Sequence, residues 1–399
     1  MERIFVVTDE QRAILEVVRR FVDDEVRPRA AELDARADPA ECYCPEIVEK
    51  AHEVGIRTMT LGKEYGGLGA DSLTTAMVIE ELGRGDLGVS VIFAQTLKIA
   101  QIMQKALNEP QRARVLPVFA ADPRGMLAIG ITEPDTASDY FLPHPTPFRT
   151  GAVRTVGGFV VNGLKHFISN GNRAGFYLVF VQTGKGQPLA NGSTCFLVER
   201  DRPGFTIGRV HDKMGERLAN NAELVFQDCF LPDANVVGLP GRGFDVLAEF
   251  FPQSNAYAGA SVLGVAVAAY EKAVQWATVR VQGGTPLIEH DGIRAQLAEM
   301  RMLVDASRSY IHRACWLADH QEYGWDRTLG ALPKAMASQA AWKIATWCLE
   351  IHGGHGYMKE FGVEKLVRDA AAFLHSDGVN RTLFLKAANF MFNGARGRP

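Results

Sequence analysis

Residues 161–171 have the sequence Val-Asn-Gly-Leu-Lys-His-Phe-Ile-Ser-Asn-Gly. We interpret the two Asn-Gly pairs as turns that bracket a short strand, because this dipeptide is a strong local signal for a hairpin turn. Alternate residues of a strand point to the same face, so Phe167 and Ser169 are expected to lie side by side. An aromatic plane beside a hydroxyl is suited to holding a planar ring.

The same alternation extends through residues 125–240, where short β-rich runs are separated by turn dipeptides. It predicts a small antiparallel domain, either a β-barrel or a β-sandwich. The segment contains no glycine-rich turn of the dinucleotide-binding type between a strand and a helix. A Rossmann domain therefore has little support.

Helical periodicity flanks this β segment on both sides. In residues 1–124, Thr8 and Gln11 have the pattern of a capping box, and apolar residues then recur at helical spacing. In residues 241–399, three long helices and a shorter one before the C-terminus are predicted, which suits a four-helix bundle. The sequence therefore predicts an α+β protein that is mostly α: an N-terminal helical domain, a middle β domain and a C-terminal helical bundle.

The composition excludes several classes of protein. Of 399 residues, 47% are hydrophobic and 22% are charged, which is ordinary for a globular protein. The net charge of -3 lacks the basic excess that phosphate backbones recruit, so no nucleic acid partner is expected. No apolar run is long enough for a membrane span. The six cysteines are scattered, which favours a cytoplasmic setting, and no metal site is predicted.

Three further clusters carry polar groups. Residues 131–139 contain Ile-Thr-Glu-Pro followed by Ser-Asp, which offers hydroxyls and backbone amides in a loop. Residues 350–357 place three glycines at the end of a long helix, where backbone amides can approach a phosphate closely. Residues 368–378 contain Arg-Asp and then Asp-Gly before the last helix. Taken alone, such clusters are more often only turns or helix caps.

Taken together and in order, these clusters resemble the motifs of the acyl-CoA dehydrogenase family of flavoproteins, over nearly the whole chain. The motifs that carry the resemblance are Glu64-Tyr65-Gly66-Gly67-Leu68-Gly69, Thr132-Glu133-Pro134 with Ser138-Asp139, Asn162 to Asn170, Lys213-Met214-Gly215-Glu216-Arg217, Val225-Phe226-Gln227-Asp228 with Pro232, Arg280, Leu297-Ala298-Glu299-Met300 and Gly353-Gly354-His355-Gly356. The resemblance implies the same three-domain fold and FAD as the cofactor. It also implies an acyl-CoA or acyl-carrier-protein thioester as substrate, an electron-transfer flavoprotein or oxygen as electron acceptor, and assembly as a homotetramer or homodimer.

The resemblance implies two sets of cofactor contacts. The first set would meet the flavin ring and the nearer phosphates, with Phe167 packed on the ring and the Ser169 hydroxyl at flavin N5; it comprises Ile131, Thr132, Ser138, Phe167 and Ser169. The second set would hold the FAD pyrophosphate across a subunit interface; it comprises Arg280, Glu350, Gly353 and Gly354.

The expected catalytic base departs from the family pattern. The family has a glutamate in a Tyr-Glu-Gly-Thr run where this sequence has Asp377, which is one methylene, or about 1.5 Å, shorter. A displacement near 1 Å can cost on the order of a hundredfold in rate, so the substrate or the backbone must lie differently if Asp377 is the base. The alternative is that Asp377 only favours the start of the last helix. Some members place the base on another helix, at a position that is Ser254 here, which is not a carboxylate.

Other departures concern the substrate entrance and the phosphates. The segment between Asp139 and Thr150 is longer than in the family pattern and rich in proline, which indicates a changed carrier or acyl group. Glu350 and Asp291 replace glutamines of the family pattern and add negative charge near the expected pyrophosphate.

The leading hypothesis is FAD-dependent dehydrogenation of an acyl thioester, with Asp377 removing the α proton and flavin N5 accepting the β hydride. One alternative is a flavin-dependent oxidase or monooxygenase on the same fold, similar to nitroalkane oxidase. Another is a FAD-free binding or scaffold protein, which the acidic residues Glu350 and Asp291 suggest.

Overall fold

The computed structural model describes residues 7–137, 147–248 and 251–393. Helices precede and follow a β domain, so the predicted order of helical, β and helical regions is confirmed. The helices are α1 (Asp9–Phe21), α2 (Arg27–Asp34), α3 (Pro45–Glu53), α4 (Ser72–Gly85), α5 (Leu87–Ala106), α6 (Glu109–Ala121), α7 (Leu189–Gly192), α8 (Gly243–Ala248), α9 (Phe251–Val279), α10 (Asp291–Asp319), α11 (Leu332–His352), α12 (Gly354–Tyr357), α13 (Val363–Ala372) and α14 (Asn380–Asn393). The strands are β1 (Leu127–Gly130), β2 (Gly151–Thr155), β3 (Gly158–Ser169), β4 (Phe176–Gln182), β5 (Ser193–Glu199), β6 (Phe205–Val210), β7 (Asn221–Pro232), β8 (Val236–Val237), β9 (Val281–Gln282) and β10 (Thr285–Pro286).

The first helix begins at the predicted cap. The Gln11 backbone N–H donates to the Thr8 hydroxyl at 3.1 Å, and the Thr8 N–H donates to the Gln11 side-chain oxygen at 3.0 Å. This reciprocal pair is a capping box, and it satisfies two of the donors that a helix start leaves free. Across the described ranges, no helix combines the length and the apolar composition that a membrane crossing requires.

The β domain is one eight-stranded sheet. Its strand order is β6-β7-β3-β2-β4-β5-β8, with β1 paired to β4. Most neighbouring strands are antiparallel, as predicted, but β1 and β2 each run parallel to β4. The loop after β1 lies beside β3, where the His166 backbone N–H donates to the Thr132 carbonyl oxygen at 2.8 Å. Two distant parts of the sequence are thereby brought together.

One prediction about the central strand is wrong. Asn162-Gly163 is not a turn, because β3 continues through it and pairs with both β2 and β7. The register of β3 against β7 shifts at this point, so the pair forms a bulge, with Gly163 at a φ of 141°. The bulge is held from the neighbouring strand, since the Asn162 amide donates to the Asp228 carboxylate at 3.1 Å. The turn that precedes β3 lies at Val156-Gly157, whereas Asn170-Gly171 does lie in a turn.

The C-terminal region is a helical bundle in which α9, α10 and α11 pack against one another. After the four-residue α12, the described residues contain two more helices rather than the single shorter one expected: α13 packs on α9 and α11, and α14 packs on α11. The interruption lies at Asp377 and Gly378, which have positive φ values of 50° and 102°. Such backbone cannot continue a right-handed helix.

The N-terminal and C-terminal helical regions meet where α4 crosses α9. A Cβ atom on Gly264 would overlap the carbonyl oxygen of Glu80, and one on Gly83 would overlap that of Ser261. The two helix backbones are therefore in direct contact, which only glycine permits. Because α4 leads directly into α5, this crossing also fixes the position of α5.

Substituting Gly264→Ala is expected to lower the free energy of unfolding by about 1–3 kcal/mol, because the added methyl group must push two helix backbones apart. Gly292→Ala is the matched control, since Gly292 lies in the exposed first turn of α10 and a Cβ there meets open space. The control is expected to be neutral or stabilising by up to about 1 kcal/mol. Urea unfolding of both variants provides the measurement, and an equal response of the two would contradict the close crossing.

Candidate active site

A cavity of about 570 Å³ lies between the β domain and the helices around it. Its walls come from five segments that are far apart in sequence: α5, the loop after β1, the end of β3, the loop after β6, and the turn between α13 and α14. The lining combines apolar side chains with a few hydroxyls and charged groups. This composition is typical of a ligand site.

The structure brings most of the first predicted set together at this cavity. Ile131, Thr132, Phe167 and Ser169 all line it, and so does Asp377. They come from the loop after β1, from β3 and from the turn before α14. Ser138, which was predicted to lie near the phosphates, is outside the described residues.

The second predicted set lies elsewhere. Among the residues that line the cavity, Arg280, Glu350, Gly353 and Gly354 do not appear. They lie at one end of the helical bundle, where Trp276 of α9 stacks on His352 of α11 with ring centroids 5.0 Å apart. Gly353 and Gly354 are exposed, and Gly353 has a φ of 58° and a ψ of -137°. Glycine is the residue that adopts this conformation readily.

A buried ion pair supports the loop that follows β1. The Lys165 ammonium lies 2.7 Å from the Glu133 carboxylate, and their side chains are 0% and 1% exposed. Lys165 also donates to the Ile131 carbonyl oxygen at 3.0 Å and lies 3.8 Å from the centre of the Phe148 ring. Burial lowers the pKa of Lys165 to about 8, while the Glu133 carboxylate opposes this shift.

Both carboxylate oxygens of Glu133 also accept backbone hydrogen bonds. Its carboxylate accepts from the backbone N–H groups of Arg149 and Thr150 at 2.6 and 3.1 Å. Both charges of the pair are therefore hydrogen-bonded, which is the condition under which a buried ion pair is tolerated. The pair joins the loop of Thr132 to the strand of Phe167.

Phe167 lies on an irregular part of β3. Its φ is 57°, and the register of β3 against β7 shifts between Lys165 and Ile168. The Phe167 side chain is 56% exposed, which is unusual for an aromatic residue within a sheet, whereas Ile168 is buried. The bulge therefore turns the Phe167 ring toward the cavity, beside the hydroxyl of Ser169.

Asp377 lies between two lysines. The Lys98 ammonium is 3.4 Å from the Asp377 carboxylate, with the Lys98 side chain only 2% exposed. Lys334 donates to the carbonyl oxygen of Gly378 at 2.7 Å and to the Asn380 side chain at 3.1 Å. Burial lowers the pKa of Lys334 to about 7, and the negative charge of Asp377 opposes the shift. These contacts anchor the turn that carries Asp377.

The Arg-Asp motif fixes the wall opposite the sheet. The Arg368 guanidinium donates to the Met214 carbonyl oxygen at 2.8 Å, and the Asp369 carboxylate accepts from the Glu216 backbone N–H at 2.7 Å. Gly215 passes so close to the Arg368 backbone that no side chain fits. Burial raises the pKa of Glu216, although Lys213 lies 3.4 Å away. The motif holds the loop after β6 against α13.

Three family descriptions match successive parts of the chain: "Acyl-CoA dehydrogenase, N-terminal domain" at residues 8–122, the middle domain at 128–229 and the C-terminal domain at 241–391. An acyl-CoA dehydrogenase of Bacillus subtilis is 33% identical over 391 residues, which cover 97% of this chain and 99% of that protein. The chain belongs to the acyl-CoA dehydrogenase family. The resemblance found from the sequence motifs is thereby confirmed.

Two further comparisons extend this result. The cyclohex-1-ene-1-carbonyl-CoA dehydrogenase of Geobacter metallireducens is 33% identical over 378 residues, which cover 94% of this chain and 96% of that protein. The structure of butyryl-CoA dehydrogenase from Megasphaera elsdenii superposes with a TM-score of 0.90 at 30% identity, covering 97% of this chain and 99% of that one. This member of the acyl-CoA dehydrogenase family is therefore an oxidoreductase that acts on the CH–CH group of an acyl thioester.

Two lysines of this acyl-CoA dehydrogenase family member were missed by sequence reasoning. Lys98 lies in the middle of α5, where most of the surrounding residues are apolar, and a lysine within such a run is a signal of a buried charge. Lys334 follows Pro333 at the start of α11, where a lysine is ordinarily exposed, so no local pattern indicates its burial. Both lysines contact the turn that carries Asp377, and both come from helices that are distant from it in sequence.

Breaking the buried ion pair between Glu133 and Lys165 is expected to destabilise the folded protein. Lys165→Met leaves the Glu133 carboxylate buried without its cation, so the free energy of unfolding should fall by about 3–5 kcal/mol. The double variant Glu133→Gln/Lys165→Met should lose less than the sum of the two single changes, because the partners are coupled. Urea unfolding measures both effects. The control is Arg154→Met, which breaks the exposed pair with Asp233 and should cost less than about 1 kcal/mol; a similar loss in the control would contradict the assignment.

The lowered pKa of Lys334 predicts a pH dependence of stability. In the folded protein Lys334 releases its proton near pH 7, whereas an unfolded lysine keeps its proton up to about pH 10.5. Between these values the unfolded chain binds more protons, so stability should rise with pH by up to about 1.4 kcal/mol per unit.

Lys334→Met should remove this contribution. The urea midpoint of the wild type, relative to that of the variant, is expected to increase from pH 7 to pH 9. Lys343→Met, at an exposed lysine of the same helix, is the control and should show no such change relative to the wild type. A constant difference between the wild type and Lys334→Met across this range would contradict the shifted pKa.

Proposed function

We propose that this protein dehydrogenates an acyl thioester with FAD as cofactor and with Asp377 as the base that removes the α proton. The observation that supports the proposal is a single cavity lined by the Asp377 carboxylate, the Phe167 ring and the hydroxyls of Thr132 and Ser169. A carboxylate that faces an aromatic and hydroxyl-bearing wall across one cavity is the arrangement that coupled proton and hydride removal requires.

The residues present fit a flavin ring. The outward-turned Phe167 offers an aromatic face, Ile131 adds an apolar contact, and Thr132 and Ser169 add hydroxyls at the same wall. When bound, FAD supplies the acceptor for the hydride that leaves the β carbon, so that the α–β single bond becomes a double bond. The side chains of the protein would position the flavin and the substrate and would supply the charged groups around them.

The surroundings of Asp377 support its proposed role as base. The Lys98 ammonium lies 3.4 Å from the Asp377 carboxylate and helps to hold this side chain at the cavity wall. The positive φ of Asp377 gives its turn a backbone conformation that a continued helix does not have. A shorter side chain on a differently placed backbone is how an aspartate can serve at a glutamate position. The alternative role at the start of the last helix has less support, because α14 begins three residues later, at Asn380.

The second set of predicted residues fits a contribution to another copy of the chain. Arg280, Gly353 and Gly354 lie at the far end of the bundle from the cavity, with the glycine pair exposed. In a homotetramer or homodimer they would hold the FAD pyrophosphate of a neighbouring subunit, with Glu350 beside it. Glycine without a side chain lets backbone N–H groups approach a phosphate closely.

The carrier of the acyl group and the electron acceptor belong to the proposal as well. We infer an acyl-CoA or an acyl-carrier-protein thioester as substrate, because relatives across nearly the whole chain are named as acyl-CoA dehydrogenases. We infer an electron-transfer flavoprotein or oxygen as the acceptor. Anaerobic addition of each thioester class, followed by air or by the flavoprotein, separates these possibilities.

The test of the base is Asp377→Asn. The amide cannot accept the α proton, so the rate at which a saturated thioester bleaches the flavin absorbance should fall by about a hundredfold or more. The measurement is anaerobic stopped-flow absorbance, with FAD content determined in the same sample. Asp377→Glu keeps a carboxylate and should retain far more activity than the asparagine variant.

Asp201→Asn is the matched control, because it makes the same chemical change at an exposed residue in the turn between β5 and β6, outside the cavity. It is expected to leave the bleaching rate unchanged. Full activity of Asp377→Asn with normal FAD content would eliminate Asp377 as the base. A purified wild-type protein that takes up no FAD would instead favour the non-catalytic hypothesis.

A further inference from the structure

Two histidines and a glutamate converge on one side of the Phe167 ring. His166 lies on β3, His211 directly follows β6, and Glu223 lies on β7. Each offers one potential metal-binding atom, and these three atoms lie within 4.8 Å of one another. The three residues are distant in sequence and meet only because β3, β7 and β6 are neighbours in the sheet.

The spacing is close to that of a metal site. The His166 Nε2 atom lies 3.5 Å from a Glu223 carboxylate oxygen. In a tetrahedral zinc site with bonds near 2.1 Å, two ligand atoms lie about 3.4 Å apart. The remaining separations, at most 4.8 Å, require the side chains to approach by roughly 1 Å.

The histidines have unsatisfied buried nitrogens. His211 is 8% exposed, and its Nε2 atom has no hydrogen-bond partner among the residues that the structure describes. His166 Nδ1 also has no partner within those ranges, but it lies across the ring from Nε2, the atom that faces Glu223, so it is not a ligand of the same ion. A buried imidazole nitrogen without a partner is uncommon, and a bound ion is one of the groups that satisfies it.

The surroundings hold the ligands in place. The second oxygen of Glu223 accepts from the Arg209 backbone N–H at 3.1 Å, which orients the first oxygen toward His166. The His211 backbone N–H donates to the Asn221 carbonyl oxygen at 2.8 Å, which fixes that segment beside β7. Groups that orient ligands in this way typically accompany metal sites.

We propose that His166, His211 and Glu223 form a binding site for one zinc ion, independent of the dehydrogenation chemistry. Two imidazoles and one carboxylate are a ligand set that zinc accepts, with the fourth position open to water. The rings of His166 and His211 lie 4.0 and 4.6 Å from the Phe167 ring, centroid to centroid. A zinc ion here would tie β3, β7 and the segment after β6 together next to the Phe167 ring.

The test uses untagged full-length protein treated with a chelator and then dialysed. Zinc is titrated calorimetrically at pH 7.5, and the thermal midpoint is followed in parallel. The expected result is one equivalent of zinc bound per chain, with a rise in the midpoint. His211→Gln and Glu223→Gln should each weaken binding by about tenfold or more, because each removes one of three ligands.

His320→Gln is the matched control, because this partly buried histidine caps the far end of α10. It should bind zinc like the wild type. If the substituted proteins fold poorly, cobalt(II) added to the wild type still decides the question, since a tetrahedral site with two nitrogen ligands gives intense visible absorption. Absence of stoichiometric zinc binding to the wild type, or binding that His211→Gln leaves unchanged, would overturn the proposal.

Discussion

The buried ion pair between Glu133 and Lys165 is the interaction on which the geometry of the cavity depends. It joins two motifs that are separate in sequence, the Thr-Glu-Pro loop after β1 and the Lys-containing strand β3. The pair lies one residue from Thr132 and two from Phe167, so any movement of either segment would separate the groups that form this wall of the cavity. The three donors of the ammonium meet a carboxylate oxygen, a carbonyl oxygen and an aromatic face. The pair therefore fixes the position of the loop after β1 relative to β3. A purely apolar contact of the same size would not define that position as closely.

The opposite wall of the cavity is also held by buried ion pairs, and it contains more charged residues. Lys365 bridges the carboxylates of Asp86 and Asp369 at 2.6 Å each, and Asp369 in turn holds the backbone of Glu216. This chain of contacts connects α5, α13 and the loop after β6. Asp377 then lies on a turn that Lys98 and Lys334 anchor from two further helices. Since each anchor is almost fully buried, a shift of the turn would break polar contacts in the interior, where they are costly to lose.

The sequence predicted the elements well and their irregularities poorly. The capping box at Thr8, the order of the three regions and the grouping of Ile131, Thr132, Phe167, Ser169 and Asp377 all follow from local patterns or from the family resemblance. The parallel pairing of β1 and β2 with β4, and the bulge at Asn162-Gly163, depend on which strand lies alongside, and this information is not local. Asn-Gly permits a turn and a bulge equally, because both require the freedom of glycine, and the partner strand decides between them.

The same distinction explains which charged residues were missed. The role of each of these residues depends on neighbours from other segments of the chain. They are Lys98, Lys334 and the cluster of His166, His211 and Glu223. A lysine in a buried helix indicates that a partner exists, but the sequence does not say whether the partner is a carboxylate, a carbonyl group or a ligand. For Lys98 the partner is the carboxylate that we assign as the base. The departure from glutamate to aspartate and the buried lysine beside it therefore belong to one local arrangement. The shorter side chain is accompanied by a cation 3.4 Å from its carboxylate, and by a turn whose backbone places it at the cavity wall.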